Sequence, residues 1–425
     1  MVYKLDITKF YNLLIESDLR FTTDSRKITK GCIFFALKGD NFNGNLFALK
    51  ALEQGASYAV VDEIVDKHEQ LILVQDVLQF MQEVARFHRS CYDIPVIGVC
   101  GSNGKTTTKN LIYAVLSKKY RTHCTQGNFN NHIGVPITLL QMPINTEMAI
   151  IELGTNSPGE IAHLCKITEP NVGFITNIGK EHLEGFGTLE AVAKEESEIY
   201  HYLLNNNGLC FVNQDDEWLT RMSRSLQNKI LVTKTSCEIQ SLVPHIEFRY
   251  KDTQFNSPLM GDYNLDNIML AIGFGEKYNV PLADISDAIS SYHPDNNRSQ
   301  IIEQNSNTIW LDAYNANPSS MMKAIENFAK MPQSNKVLIL GDMFEMGENA
   351  NQEHDDLLQW ALQFNFDRIY TLGDHFASIS ANSDLTTPSS MEELGKAIQN
   401  AQYQDTAILI KGSRGMKMER IIDWL

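Results

Sequence analysis

The chain has 425 residues, 43% of them hydrophobic and 21% charged, with a formal net charge of −16. That length exceeds one ordinary hydrophobic core and points to a globular protein of two or three domains. The acidic balance argues against the basic stripe of a nucleic-acid surface, so no nucleic-acid partner is expected.

No apolar run approaches the roughly 20 residues that a membrane span needs. The N-terminal Met1-Val2-Tyr3-Lys4-Leu5-Asp6 lacks the charged-then-apolar pattern of a signal peptide. Seven cysteines (Cys32, Cys91, Cys100, Cys124, Cys165, Cys210 and Cys237) form no Cys-x-x-Cys pair. The pattern argues against a disulfide framework or a zinc site and fits a reducing, cytoplasmic setting.

Residues 1–94 read as a small α/β domain. A strand is predicted over 31–37, a helix over 45–56 stopped at Gly55, and further strands over 58–62 and 71–74. Val77, Phe80, Met81, Val84 and Phe87 then recur at helical spacing. Pro95 is a natural boundary.

Residues 95–297 alternate strand and helix, the pattern of a parallel sheet with helices on both faces. The apolar run 96–100 enters Gly101-Ser102-Asn103-Gly104-Lys105-Thr106-Thr107, and a helix is predicted over 109–120. The two glycines let the backbone approach an anion. Backbone N–H groups at a helix start face phosphates. Lys105 reaches the terminal phosphates and the Thr106 hydroxyl suits Mg²⁺. The strict spacing fails at Val99, where the first glycine usually stands.

Asn128, Asn130 and Asn131 crowd a loop that is either a polar ligand site or an Asn-rich turn. Strands over 148–154 and 172–179 bring Glu152 and His182 to the carboxyl edge of the sheet, where ligands bind in open α/β folds. A carboxylate and an imidazole beside phosphates suit a divalent metal. Taken singly, Glu152 could equally pair with a lysine, and His182 could be an ordinary loop histidine. Residues 189–204 read as one helix whose carboxylates, among them Glu190, Glu195, Glu196 and Glu198, form a solvated face. Another helix opens at 261–267, capped by Asp262 or Asn264.

Residues 298–425 form a third α/β unit. Strands over 308–312, 336–340 and 407–410 each run into a polar loop: Asp312-Ala313-Tyr314-Asn315-Ala316-Asn317-Pro318, Gly341-Asp342-Met343, and Lys411-Gly412-Ser413-Arg414. A ligand crevice is expected at these loops.

Eight stretches, in order along the chain, resemble the Mur ligases. They are Asp24-Ser25-Arg26, the phosphate loop 101–107, the Asn-rich loop 127–134, Glu152-Leu153-Gly154, His182-Leu183-Glu184-Gly185-Phe186, and the three C-terminal loops just named. The resemblance implies an α/β fold of three domains. A central P-loop ATPase-type parallel sheet (95–297) would bind MgATP. A small N-terminal α/β domain (1–94) would hold a UDP-sugar-peptide, and a C-terminal Rossmann-like domain (298–425) the incoming dipeptide.

The activity implied belongs to peptidoglycan precursor synthesis. ATP would activate UDP-N-acetylmuramoyl-tripeptide as an acyl phosphate, and the amine of D-alanyl-D-alanine would attack it, giving amide, ADP and phosphate. A monomer is expected. The third-residue-adding ligases and folylpolyglutamate synthetases are rivals inside the class, and a P-loop kinase or nucleotide switch is the rival outside it. The Asp-Asn-Pro-Arg run of ligases that add diaminopimelate is absent.

The resemblance also assigns roles. Gly101, Ser102, Asn103, Gly104, Lys105, Thr106 and Thr107 would hold ATP, with Asn267 at the adenine and Arg298 and Asp312 over the ribose and phosphates. Thr106 and Glu152 would ligate a first Mg²⁺ and His182 a second. Lys105, His182 and Glu196 would be catalytic. Ser25, Arg26, Asn128, Asn130, Asn131, Asn315, Asn317, Asp342, Ser413 and Arg414 would meet the two other substrates. Two departures stand out. Glu196 falls where many members carry a carbamoylated lysine, with Lys194 two residues earlier, so its carboxylate is expected to replace the carbamate. Asn43-Gly44-Asn45 stands where Asp-Gly-His is usual, which puts uridine contacts from that loop in question.

Overall fold

The computed structural model describes residues 6–64, 67–294, 297–379 and 385–425. Residues 1–5, on which most of the signal-peptide expectation rests, lie outside them. Among the described residues no helix is long and apolar enough to cross a membrane.

The chain divides into two compact units: 1–98 with 121–154 and 160–172, and 99–120 with 155–159 and 173–425. The first unit contains a four-stranded parallel sheet in the order Phe21–Thr22, Ile33–Phe35, Tyr58–Val61, Leu71–Leu73. Phe34 and Ala59 pack with Ala48 and Ala51 of the helix Ala48–Glu53, which a 3-10 turn, Gly44–Phe47, precedes. The helix predicted over 45–56 is therefore split in two. The helix Val77–Ser90 follows as its spacing predicts, its side chain Asp76 accepting from the Gln79 N–H at the N-cap.

The phosphate-loop strand Val96–Cys100 belongs to a six-stranded sheet. In the first unit its opening residues are followed in the sheet by Met148–Glu152 and Thr122–Cys124, the latter two paired in parallel. In the second unit, its last residues are followed by 173–175, Leu209–Asn213 and Lys229–Val232, with the last two strands parallel. Every residue of Val96–Cys100 and Met148–Glu152 is buried, as near-continuous apolar runs in a doubly covered sheet must be.

The second unit departs from the predicted alternation at 237–257, where Cys237–Ser241, Ile246–Tyr250 and Thr253–Ser257 form a small antiparallel sheet. In Ile246–Tyr250 the sequence alternates buried and exposed residues, the signature of a sheet with one wet face. Its C-terminal part holds a six-stranded sheet in the order Gln300–Gln304, Asn307–Asp312, Thr406–Lys411, Asn335–Gly341, Arg368–Leu372, Leu385–Thr386. Only Gln300–Gln304 runs antiparallel to its neighbour. Period-two alternation divides its core. Trp310, Leu338, Leu340 and Leu409 pack on one face, and Ile309, Leu311, Val337, Ile339, Ile408 and Ile410 on the other. Each such side chain contributes about 1.5–3 kcal/mol of burial.

Candidate active site around the phosphate loop

The loop is tighter than a generic turn requires. Gly101 has φ 119°, and a Cβ there would lie 2.2 Å from the Thr176 hydroxyl. Gly104 has φ 80° and is itself the N-cap of the following helix, Lys105–Leu116. The helix therefore starts four residues before the predicted one. Lys105, Thr106 and Thr107 occupy its first turn, where unsatisfied N–H groups and the dipole favour anions. Thr106 is buried, and Thr107 is partly exposed.

The next strand end braces the loop. The Ser102 N–H donates to the Asn177 carbonyl at 2.9 Å, the Asn103 N–H to the Asn177 side chain at 3.2 Å, and the Asn177 amide back to the Asn103 carbonyl at 2.8 Å. Asn267 lies beneath Gly104. Its carbonyl accepts from the Thr108 hydroxyl at 3.0 Å, and its amide donates to Asn264 at 3.0 Å. The helix that carries it, Asp262–Lys277, is capped by Gly261 at φ 86°, not by Asp262 or Asn264.

Charge is concentrated beside Lys105. Its ammonium donates to the Gly101 carbonyl and sits 3.4 Å from Glu181 Oε2. Its side chain is 15% exposed and that of Glu181 4%, so the loop lysine is enclosed, contrary to the exposure that a surface turn suggests. The predicted acidic helix is two helices, Leu189–Glu196 and Glu198–Asn205, broken at Ser197. Glu190 is exposed, but Glu195 and Glu196 are buried, so the solvated-face expectation fails for these two. Glu196 Oε2 accepts from the Gly101 N–H at 2.7 Å. Burial pushes its carboxyl up to about 7, against the pull of Lys105. Lys194 is exposed. Glu195 accepts from the Gly159 N–H at 2.7 Å and the Thr155 hydroxyl at 3.4 Å.

His182 adopts a left-handed conformation, φ 45°. Its Nδ1 pairs with Glu345, and its Nε2 lies 3.7 Å from Glu181 Oε2. Burial opposes protonation of His182, but the Glu345 bond and the nearby Glu181 charge outweigh it, so its pKa is raised. The His182 hydrogen bond holds Glu345 below the usual carboxylate range. C-terminal residues meet the phosphate loop directly. The Asn317 amide donates to Asn103 Oδ1 at 2.9 Å, and the Lys180 N–H donates to the Ser319 hydroxyl at 2.9 Å.

The remaining candidates are held in several ways. Asp312 Oδ1 accepts from the Ser299 N–H at 3.0 Å, and its Oδ2 pairs with buried Lys411. The Arg298 guanidinium lies 3.6 Å from the centre of the Tyr314 ring and that of Arg414 5.5 Å from it. Asn315 is exposed. Asn317 also caps the helix Pro318–Ala329. Asp342 is buried and accepts from the His375 and Phe376 N–H groups, which start a helix. The Ser413 hydroxyl accepts from the Phe344 N–H at 2.8 Å.

In the first unit, the Asn130 amide donates to Glu152 Oε1 at 3.0 Å, so the Asn-rich loop and the acidic strand end do meet. Asn131 accepts from the Ile133 and Gly134 N–H groups, and Asn128 is exposed. Ser25 sits between Asp24 and Arg26, whose fork of two 2.9 Å bonds holds the Asp24 carboxyl down to about 2. Asn45 is buried and bonded to Asp62 at 2.8 Å. Its amide thereby braces the domain.

Sequence reasoning assigned no role to Glu181, Glu345, Tyr314 or Lys411. Glu181 had a signal, since it adjoins His182 at a strand end. Tyr314 lay in a loop already singled out and Glu345 two residues past another, but nothing in their spacing says which side chain they meet.

A phosphate loop at the carboxyl edge of a parallel sheet, with a lysine and threonine on the first helical turn, defines a P-loop nucleotide-binding protein of the α/β class. Comparison with known families matches residues 21–89 to the Mur ligase family catalytic domain, 99–275 to the Mur ligase middle domain, and 297–414 to the Mur ligase glutamate ligase domain. The Bacillus subtilis (strain 168) UDP-N-acetylmuramoyl-tripeptide–D-alanyl-D-alanine ligase is 34% identical, covering 94% of this chain and 91% of its own. Two solved structures are similar. MurF from Acinetobacter baumannii has TM-score 0.87 at 29% identity, over 95% of this chain and 92% of its own. MurF ligase from Thermotoga maritima, in complex with ADP, has TM-score 0.86 at 27% identity, over 96% and 97%. The chain belongs to the Mur ligase family.

Proposed function

We propose that this chain joins D-alanyl-D-alanine to UDP-N-acetylmuramoyl-tripeptide, using ATP and releasing ADP and phosphate. The observation that carries the proposal is the enclosed Lys105, lying on a phosphate loop that the C-terminal residue Asn317 touches directly. A carboxylate attacking a phosphoryl group meets charge repulsion. A cation held at the loop lowers that barrier by stabilising the charge that develops. The B. subtilis relative, a UDP-N-acetylmuramoyl-tripeptide–D-alanyl-D-alanine ligase similar over nearly the whole chain, supports the same substrates.

The division of labour follows the residues. The loop 101–107, with Asn267, Arg298 and Asp312, holds ATP. Ser25, Arg26, Asn128, Asn130 and Asn131 serve the sugar-nucleotide peptide. Asn315, Asn317, Asp342, Ser413 and Arg414 shape the dipeptide side, Asp342 and Ser413 through the backbone they brace. Domains of 1–94, 95–297 and 298–425 carry these tasks.

The donor set fits Mg²⁺, a hard cation that prefers oxygen. Glu181 Oε1 and Glu196 Oε1 are buried with no hydrogen-bond partner. Among the described residues no three His, Cys, Asp or Glu side chains are grouped so as to hold a metal ion. Thr106 and Glu152 would hold a first Mg²⁺ and His182 a second, which Glu196 would support in place of a carbamate. When bound, the ion supplies charge neutralisation between the carboxylate and the γ-phosphate. The proposed enzyme is a cytoplasmic monomer.

Phosphate release tests the proposal. It should require ATP, the uridine nucleotide and D-alanyl-D-alanine together. Release indifferent to the dipeptide would overturn it, and transfer of the phosphoryl group to a stable product would favour a kinase.

A further inference from the structure

Lys105 is the group that should meet the phosphates, yet the structure gives its ammonium other partners. It donates to the Gly101 carbonyl and, at 3.4 Å, to the Ser102 carbonyl, and it pairs with Glu181 Oε2. The same Glu181 oxygen lies 3.7 Å from His182 Nε2. The other, Oε1, is buried with no hydrogen-bond partner. Glu181 stands in the loop after strand 173–175, between Lys180, whose N–H donates to the Ser319 hydroxyl, and His182 in its left-handed conformation. The backbone on both sides is therefore fixed, and the carboxylate stays beside the phosphate loop. A second carboxylate, that of Glu196, bonds the Gly101 N–H at 2.7 Å, and its Oε1 is likewise buried without a partner. Two carboxylates against one ammonium oppose a polyphosphate, because like charges repel far more strongly in an enclosed site than in water. A buried anion short of partners is costly, and a cation relieves that cost where a phosphate adds to it. The two carboxylates differ in what they occupy. Glu196 spends an oxygen on the loop backbone, whereas Glu181 spends one on the lysine that the phosphates need.

We propose that Glu181 is a specificity-determining residue that makes nucleotide binding depend on a divalent cation. Its carboxylate repels bare phosphates and occupies Lys105 until its charge is countered by the Mg²⁺ that accompanies the nucleotide. Nucleotide bound without the cation would be unproductive, since the attacking carboxylate and the γ-phosphate would keep their mutual repulsion. Glu181 thereby selects the metal-loaded nucleotide over the bare one. This deepens the function proposed above and rests on its ATP and Mg²⁺ readings.

Calorimetric titration of the full chain with ADP, once in EDTA and once in Mg²⁺, tests this without turnover. Wild type should bind ADP more tightly in Mg²⁺ than in EDTA. Glu181→Gln keeps the size of the side chain and an oxygen for Lys105 but removes the charge. It should bind ADP in EDTA about tenfold more tightly than wild type does, so that the gain from Mg²⁺ shrinks. If Glu181→Gln fails to fold, Glu181→Ala removes the same charge and carries the same expectation. A side chain that only props the loop would, when replaced, weaken ADP binding in both solutions, and that result would overturn the proposal. So would a metal-free affinity in the neutral variant no better than that of wild type, or wild-type binding that ignores Mg²⁺. Phosphate release indifferent to the dipeptide would instead defeat the ligase reading and leave this comparison intact, so the two failures are separable.

Discussion

At Lys105 the proposed chemistry and the stability of the fold rest on the same side chain. Its ammonium is enclosed with Glu181, while Glu196 sits buried under the same loop. Removing the cation strands buried carboxylates as well as the developing charge of the reaction. Lys105→Ala should lower phosphate release by about a hundredfold or more and cost about 1–3 kcal/mol in urea unfolding. Turnover at the wild-type rate would remove Lys105 from the mechanism. An unchanged unfolding midpoint would mean that water already solvates Glu181. From sequence alone the same substitution looks harmless to stability, because a glycine-rich turn reads as exposed. The enclosure comes from Glu181 and Glu196, whose positions the loop sequence does not encode.

Among the elements, the turn after Asn335–Gly341 is bonded to two other segments. The Met343 N–H donates to His354 Nε2 at 2.9 Å, and His354 Nδ1 lies 2.6 Å from the Ala350 carbonyl, to which it must donate. Imidazole filling both roles is neutral. Burial depresses its pKa, opposed by the Ala350 bond and Asp342, with His375 and Glu353 also nearby. A histidine with a depressed folded pKa stabilises the fold above its unfolded value, about 6.5, and that stability is lost as pH falls from there toward the folded pKa. Unfolding free energy should therefore decline as pH falls below about 6.5, and the same decline should be missing from His354→Gln. Parallel slopes in the two proteins would show that His354 is not the group responsible. Gly341-Asp342-Met343 was legible as a loop of interest. That Asp342 spends its carboxylate on the start of a helix was not, because its N–H donors lie more than thirty residues away. The split acidic helix teaches the same lesson, for a run of glutamates reads as a wet face until another element covers it.

For the molecule as a whole, the chemistry demands that an acyl phosphate meet an amine before it meets water. Asn317 on Asn103 joins the loop after Asn307–Asp312 to the phosphate loop, and Ser319 on Lys180 joins the helix that follows to the segment before His182, all within the second compact unit. Loosening that seam should admit water. In Asn317→Ala and Ser319→Ala, phosphate released should exceed amide formed by severalfold, measured on one sample. A one-to-one ratio in both would show that these contacts do not guard the intermediate.

Taken alone, the sequence determined the phosphate loop, the buried parallel strands and the order of the polar loops after them. These are local properties, written in glycine spacing, β-branched runs and period-two or 3.6 repeats. It also carried the family, through eight ordered motifs. Only the tertiary structure decided which partners those motifs meet: Glu181 with Lys105, Glu345 with His182, Tyr314 near two arginines, Glu196 beneath Gly101. Each pairing joins residues brought together by sheet order and burial, and a carboxylate's charge, reach and pKa depend on that environment more than on its neighbours in the chain.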